Sequence, residues 1–230
     1  ADRSAFDTVL PLLAATRRVW CVDLPGYGGS AAAGPAIEDY ADRIAAWLDA
    51  AGLPPETDVL GNGLGGFIAV ALAIRHGARF DRLIVADALA GFPEAGKLPL
   101  RGLAAKVRTE GMRGALDIAI GRMFPPAFSA AHPEIVAERK RALEGADANC
   151  FAGACLALAA VDFTPQLVGI GNRTLVMVGA LDATTAPAIA RELAAGIGGA
   201  QFMEILGVGH CPQIEDPQAF VAAVNGFLGG

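Results

Sequence analysis

The chain has 230 residues, 53% of them hydrophobic, and a formal net charge of -6 carried by scattered acids. That length and apolar content suit one folded unit with a large core and exclude a disordered or fibrous chain. Its longest basic stretch is the mixed Glu138-Arg139-Lys140-Arg141, so no nucleic-acid partner is expected.

The apolar runs, such as Phe67 to Ile74, fall far short of the ~20 residues a bilayer span needs, and the first residues, Ala1 to Ser4, do not resemble a signal peptide. A cytoplasmic protein with no membrane partner is the expectation. Cys21, Cys150, Cys155 and Cys211 follow neither a metal-binding nor a disulfide spacing. They read as free thiols, mostly buried.

Short β-rich runs alternate with helical patterns, the mark of a mostly parallel sheet covered on both faces. Phe6 to Leu13 reads as a helix and Arg18 to Asp23 as the first strand. Ile37, Tyr40, Ile44, Trp47, Leu48 and Ala51 recur at helical spacing, with Glu38 and Asp39 at the favourable N-terminal end and Gly52 beyond the last turn. Thr57 to Leu60 is the next strand. It runs through a glycine-rich turn into Phe67 to Arg75, a helix apolar on every side and so central, which Gly77 stops.

Leu83 to Ala86, Thr174 to Val178 and Phe202 to Leu206 are further strands. Pro187 can open a helix between the last two, and Asp216-Pro217 opens a final helix burying Phe220, Val221, Val224, Phe227 and Leu228. Between Ala88 and Phe163 the strand signal gives way to what reads as four short helices. The expected organisation is an α/β core over residues 1–87 and 164–230 with a helical cap over 88–163.

Three segments resemble the α/β-hydrolase superfamily. Asp23-Leu24-Pro25-Gly26-Tyr27-Gly28-Gly29-Ser30 is similar to the D-x-P-G-x-G-x-S segment of these enzymes, in which Asp23 and Ser30 are expected to brace the turn. Gly61-Asn62-Gly63-Leu64-Gly65 stands between a strand and a buried helix, the setting of the G-x-S-x-G nucleophile elbow, with Gly63 in the place of the serine. Asp182, in Gly179-Ala180-Leu181-Asp182, and His210, in Gly207-Val208-Gly209-His210-Cys211-Pro212, each follow a strand in the family's order of acid, then histidine. His76 and His132, at a helix end and before a proline, read as surface residues.

The resemblance implies an α/β-hydrolase fold in which Asp182 orients His210, His210 acts as the base, and the Leu64 N–H is an oxyanion donor. It points to small esterases and lactonases such as 3-oxoadipate enol-lactonases. The substrate class it implies is a small, largely apolar ester, lactone or other carbonyl compound. No metal or cofactor is expected. Gly63, whether a natural or an introduced change, leaves no side chain for an acyl-enzyme, so hydrolysis should be impaired.

The family also carries a strand between those expected at Arg18 to Asp23 and Thr57 to Leu60. The sequence offers none, so a gap in the sheet is expected and the chain reads as short by roughly 25 to 40 residues. Two other readings stand beside this one. Gly61-x-Gly63-x-x-Gly66 fits a dinucleotide-binding turn, with Asp81 or Asp87 available for a ribose. A non-hydrolytic, ligand-binding descendant of the hydrolase fold fits as well.

Overall fold

A computed structural model of the chain describes residues 2–229; Ala1 and Gly230, the outer ends of the expected core, lie outside the described residues. In chain order come a 3-10 turn at Arg3–Phe6, α1 (Leu10–Ala14), α2 (Ile37–Ala50), β1 (Val59–Asn62), α3 (Leu64–His76) and β2 (Arg82–Ala86). Four helices follow: α4 (Glu94–Met123), α5 (Pro126–Ala131), α6 (Pro133–Glu144) and α7 (Ala148–Ala160). The chain then returns through β3 (Arg173–Gly179), α8 (Pro187–Gly196), β4 (Gln201–Ile205), α9 (Pro212–Glu215) and α10 (Pro217–Leu228). Among the described residues no helix is long and apolar enough to cross a membrane.

The four strands form one parallel sheet in the order β1-β2-β3-β4. Successive strand side chains point to opposite faces, and here both sets are apolar. Leu83, Val85, Val176 and Val178 join one core with α2, α3 and α8. Ile84, Ala86, Leu175 and Met177 join a second with α1 and α10, where Phe220, Val224 and Phe227 lie. A sheet buried on both faces needs apolar residues at every position, which is why these strands read as continuous runs. α10 starts where expected, with the Asp216 carboxylate accepting the Ala219 N–H at 2.9 Å.

Three expectations change. Residues 18–23 form no strand among the described residues, because no neighbouring strand takes up their backbone groups. A cavity of about 430 Å³ is lined by Trp20 and Val22 of this run together with Val59 and Leu60 of β1, among other residues. The helix expected over Phe6 to Leu13 divides into the 3-10 turn and α1. The segment expected as four short helices differs at its start: the 30 residues of α4 are two helical stretches that meet in a kink at Gly111, whose φ of 70° and ψ of -177° are not helical. α4 packs on α7 around Leu103, Val107, Met112 and Cys155.

The reversal from β1 into α3 sets where the site lies. A Cβ on Gly61 would overlap the Gly65 carbonyl, so strand and helix can meet this closely only with glycine there. Backbone atoms on both sides leave no room to relax. Gly61→Ala should therefore lower stability by roughly 3 kcal/mol or more, the range of severe overpacking, as read from urea unfolding. A variant as stable as the parent would show that this junction is loose.

Candidate active site

Parallel strands carry their C-terminal ends to one edge of the sheet, and the site is built there. Gly63 caps the N-terminus of α3 with φ 53° and ψ -123°, conformations that side-chain-bearing residues avoid. Its N–H donates to the Ala86 carbonyl at 3.0 Å, anchoring the turn to β2. Leu64 follows as the first residue of α3, and its N–H has no protein acceptor among the described residues.

Asp182 leaves β3 and His210 leaves β4, and the two loops are stitched together. Ala180 N–H donates to Ile205 O at 2.9 Å, and Leu181 N–H donates to Val208 O at 2.8 Å. This registration puts His210 Nδ1 2.8 Å from Asp182 Oδ2. Asp182 Oδ1 accepts the N–H groups of Thr184 at 2.6 Å and Thr185 at 3.0 Å, and the Thr185 hydroxyl donates to Oδ2. Burial alone would raise the Asp182 carboxyl, but the His210 ring and the Thr185 donors outweigh it and hold it well below the usual carboxylate range. The acid is an anion, and its ring partner is fixed with Nδ1 toward it.

The other ring nitrogen faces the elbow. A Cβ built on Gly63 would lie 3.2 Å from His210 Nε2, with only the ring as a near neighbour. The Glu215 carboxylate holds the histidine loop from below, accepting Gly209 N–H at 2.8 Å and Cys211 N–H at 3.1 Å. Burial raises the Glu215 carboxyl against the pull of these two bonds.

Beneath this pair lies a polar cluster that sequence reasoning did not assign to the site. Asp87, at the end of β2, is fully buried and is the non-glycine residue with positive φ, 50°, among the described residues. Its carboxylate accepts Gly179 N–H at 2.9 Å and Asn62 Nδ2 at 3.0 Å. Asn62 Nδ2 also donates to His210 O at 3.1 Å, and Asn62 Oδ1 accepts from Gln213 Nε2 at 3.1 Å. Only the run of apolar residues ending in an acid, Leu83 to Asp87, could have pointed to it. Fully buried, Asp87 is not open to a ribose hydroxyl, and Asp81 stands at the opposite end of β2, which removes the basis for a dinucleotide site.

The helical segment reaches this edge through residues 120–125. Arg122 O accepts from the Thr184 hydroxyl at 2.8 Å, Phe124 and Ile120 pack on Cys211, and Pro125 lies against Gly209. Among the described residues Arg122 is the one arginine or lysine that is neither exposed nor paired. Burial lowers its guanidinium, while Cys155 and Asp182 act the other way.

The remaining expected residues fall outside the site. Asp23 and Ser30 brace their turn: Ser30 Oγ donates to Asp23 O at 2.7 Å, and Asp23 Oδ2 accepts Gly29 N–H at 3.1 Å. His76 pairs with Asp42 at 2.7 Å and His132 lies 3.5 Å from Glu134. The four cysteines are free, Cys155 and Cys211 buried and Cys21 and Cys150 half-buried. Asp87, Asp182 and His210 bring ligand atoms within 4.8 Å of one another, but in this geometry the His210 Nδ1 and both Asp87 oxygens are already hydrogen-bonded.

Residues 1–224 match the alpha/beta hydrolase family. The chain is similar to 3-oxoadipate enol-lactonase 2 of Acinetobacter baylyi, 34% identical over 91% of this chain and 78% of that protein. It is 30% identical to the pimeloyl-[acyl-carrier protein] methyl ester esterase of Neisseria meningitidis, over 100% of this chain and 90% of the relative. The enol-lactonase of Burkholderia xenovorans LB400 superposes with a TM-score of 0.89 at 29% identity, covering 100% of this chain and 87% of that one. On its sequence, its sheet and its strand-end loops, the chain belongs to the alpha/beta hydrolase family and is related to ester and lactone hydrolases.

Proposed function

We propose that this chain is a hydrolase scaffold for a small, largely apolar ester or lactone, with Asp182 and His210 as acid and base and Gly63 at the position of the nucleophile. The observation that carries the reading is the placement of His210 Nε2 3.2 Å from a Cβ at Gly63, on a strand-to-helix turn of positive φ. A hydroxyl on that Cβ would lie beside the ring nitrogen that would take its proton. The Leu64 N–H, unpaired at the head of α3, suits an oxyanion. Residues 88–163 act in this reading as a cap, and the substrate lies between it and the sheet edge.

Without a side chain at Gly63 no acyl-enzyme forms there. Catalysis is then limited to what binding and the oxyanion site provide, about 10³- to 10⁴-fold over water in a triad lacking one member. The chain should release p-nitrophenol from short-chain esters slowly and without a burst. A stoichiometric burst from the parent chain would refute the assignment of Gly63.

Gly63→Ser should raise p-nitrophenyl ester hydrolysis by roughly 100-fold or more and place a fluorophosphonate label on the new serine. It should also lower stability, by less than the ~1–3 kcal/mol of strain at such a backbone position if the hydroxyl bonds to His210. A folded serine variant that is neither active nor labelled would turn the reading toward a ligand-binding member of the fold. One as stable as the parent in denaturant melts would show the turn to be unstrained.

Arg122 supports a substrate with an anionic end, since a half-buried guanidinium without a partner is suited to a carboxylate. In the Gly63→Ser background, Arg122→Gln should raise KM for carboxylate-bearing esters roughly 10- to 100-fold, as loss of a charge-assisted bond of about 1.5–3 kcal/mol implies. KM for neutral esters should stay within twofold, roughly the noise of such a comparison. Equal effects on both would assign Arg122 to packing.

A further inference from the structure

We propose that Asp87 is a neutral carboxylic acid that donates a hydrogen bond to Asp182, so that the two buried carboxyl groups beside His210 carry one negative charge between them. Asp87 is in this view a positioning residue. The inference goes beyond the assignment of Gly63 and stands whether or not that assignment holds.

The argument starts from burial. Asp87 is 0% exposed and Asp182 3%, and oxygens of the two lie within 4.8 Å of each other and of a His210 ring nitrogen. Two like charges that close, away from water, cannot both be ionised without a cation for each. One imidazole is present, and its Nδ1 bonds Asp182.

The donors decide which carboxyl keeps the charge. Asp182 takes Thr184 N–H, Thr185 N–H, the Thr185 hydroxyl and His210 Nδ1. Asp87 takes Gly179 N–H and Asn62 Nδ2, both neutral, one on each oxygen. The other groups facing it do not favour an anion: Asp182 and Glu215 are carboxyls, and the buried Cys211 thiol, itself driven upward, supplies no cation. Burial first and the Asp182 charge second push the Asp87 carboxyl well above the usual range, against the pull of Gly179 N–H. A protonated Asp87 also makes use of its O–H. The buried proton needs an acceptor, and the nearby Asp182 carboxylate offers one.

The consequence reaches the elbow and the histidine loop. Asn62, next to Gly63, bonds both Asp87 and the His210 carbonyl, so the carboxyl that bonds Asp182 also sits on the amide that ties Gly63 to the histidine loop. An ionised Asp87 would press its charge against Asp182. A neutral one holds it.

The sign for stability follows from linkage. If the folded pKa of Asp87 is raised, the folded state keeps a proton that the unfolded chain has released above pH ~4. Native stability must then fall, relative to a variant that cannot titrate, as pH rises from ~4 toward that folded pKa. Asp87→Asn is such a variant: it keeps an N–H donor, carries no charge and tolerates positive φ.

Three measurements test this. With [4-¹³C]aspartate labelling, the parent at pH 7 should show one infrared C=O band of a protonated carboxylic acid, absent in Asp87→Asn. From urea unfolding, the unfolding equilibrium constant of the parent relative to Asp87→Asn should rise about tenfold per pH unit above pH ~4, the slope of one extra bound proton. The downfield proton signal of the His210 Nδ1–H to Asp182 bond should persist in Asp87→Asn, which keeps a donor, and move in Asp87→Leu, which has none. A pH-independent ratio, or a parent at pH 7 without the protonated band, overturns the proposal. The parent band decides alone if neither variant folds, and an unmoved signal in Asp87→Leu overturns the donor role.

Discussion

The hydrogen bond between His210 and Asp182 depends on two parallel strands lying side by side. β3 and β4 pair over Leu175–Gly179 and Gln201–Ile205, so the loops that leave them emerge next to each other. Backbone bonds from Ala180 and Leu181 continue the pairing past the strand ends, and a Cβ on Gly179 would overlap the Gly209 carbonyl. Asp182 and His210 are therefore 28 residues apart in sequence and 2.8 Å apart in space, with little freedom to separate. A ring so fixed presents its second nitrogen to one place only, and that place is the turn at Gly63.

The turn carries its own constraint. The chain leaves β1 and enters α3 within two residues, which requires a close approach at Gly61 and a positive φ at Gly63. A glycine at the second position relieves strain that any other side chain would incur, roughly 1–3 kcal/mol. Chemistry that needs a side chain there and stability that disfavours one pull in opposite directions. The chain as it stands lies on the stability side.

Around these two constraints most buried polar groups are arranged with partners, Gln213 Oε1 being an exception. Asn62 links β1 to the Asp87 carboxyl and to the His210 backbone, and Glu215 holds the N–H groups on both sides of His210. Helix α4 and the residues after it close over the loops through Arg122, Phe124 and Pro125. The result is a pair of titratable side chains whose surroundings, rather than their own identity, set their charge.

The sequence alone determined the fold class, the four strands that pair, the helices from Ile37, Pro187 and Asp216, and the strand-end positions of Asp182 and His210, because periodicity, caps and strand-end motifs are local properties written in neighbouring residues. It misjudged residues 18–23, since an extended run becomes a strand only when another strand takes its hydrogen bonds, and that partner is not a local property. It also gave no sign that residues 94–123 form two helical stretches kinked at Gly111, with Pro99 inside the first, because the packing of this segment on α7 is not a local property. The partnership of Asp87, Asn62 and Gln213 with the Asp182–His210 pair was beyond its reach. Those residues come from four separate stretches of chain, and only the parallel sheet, by gathering its strand ends at one edge, brings their polar atoms within hydrogen-bonding distance.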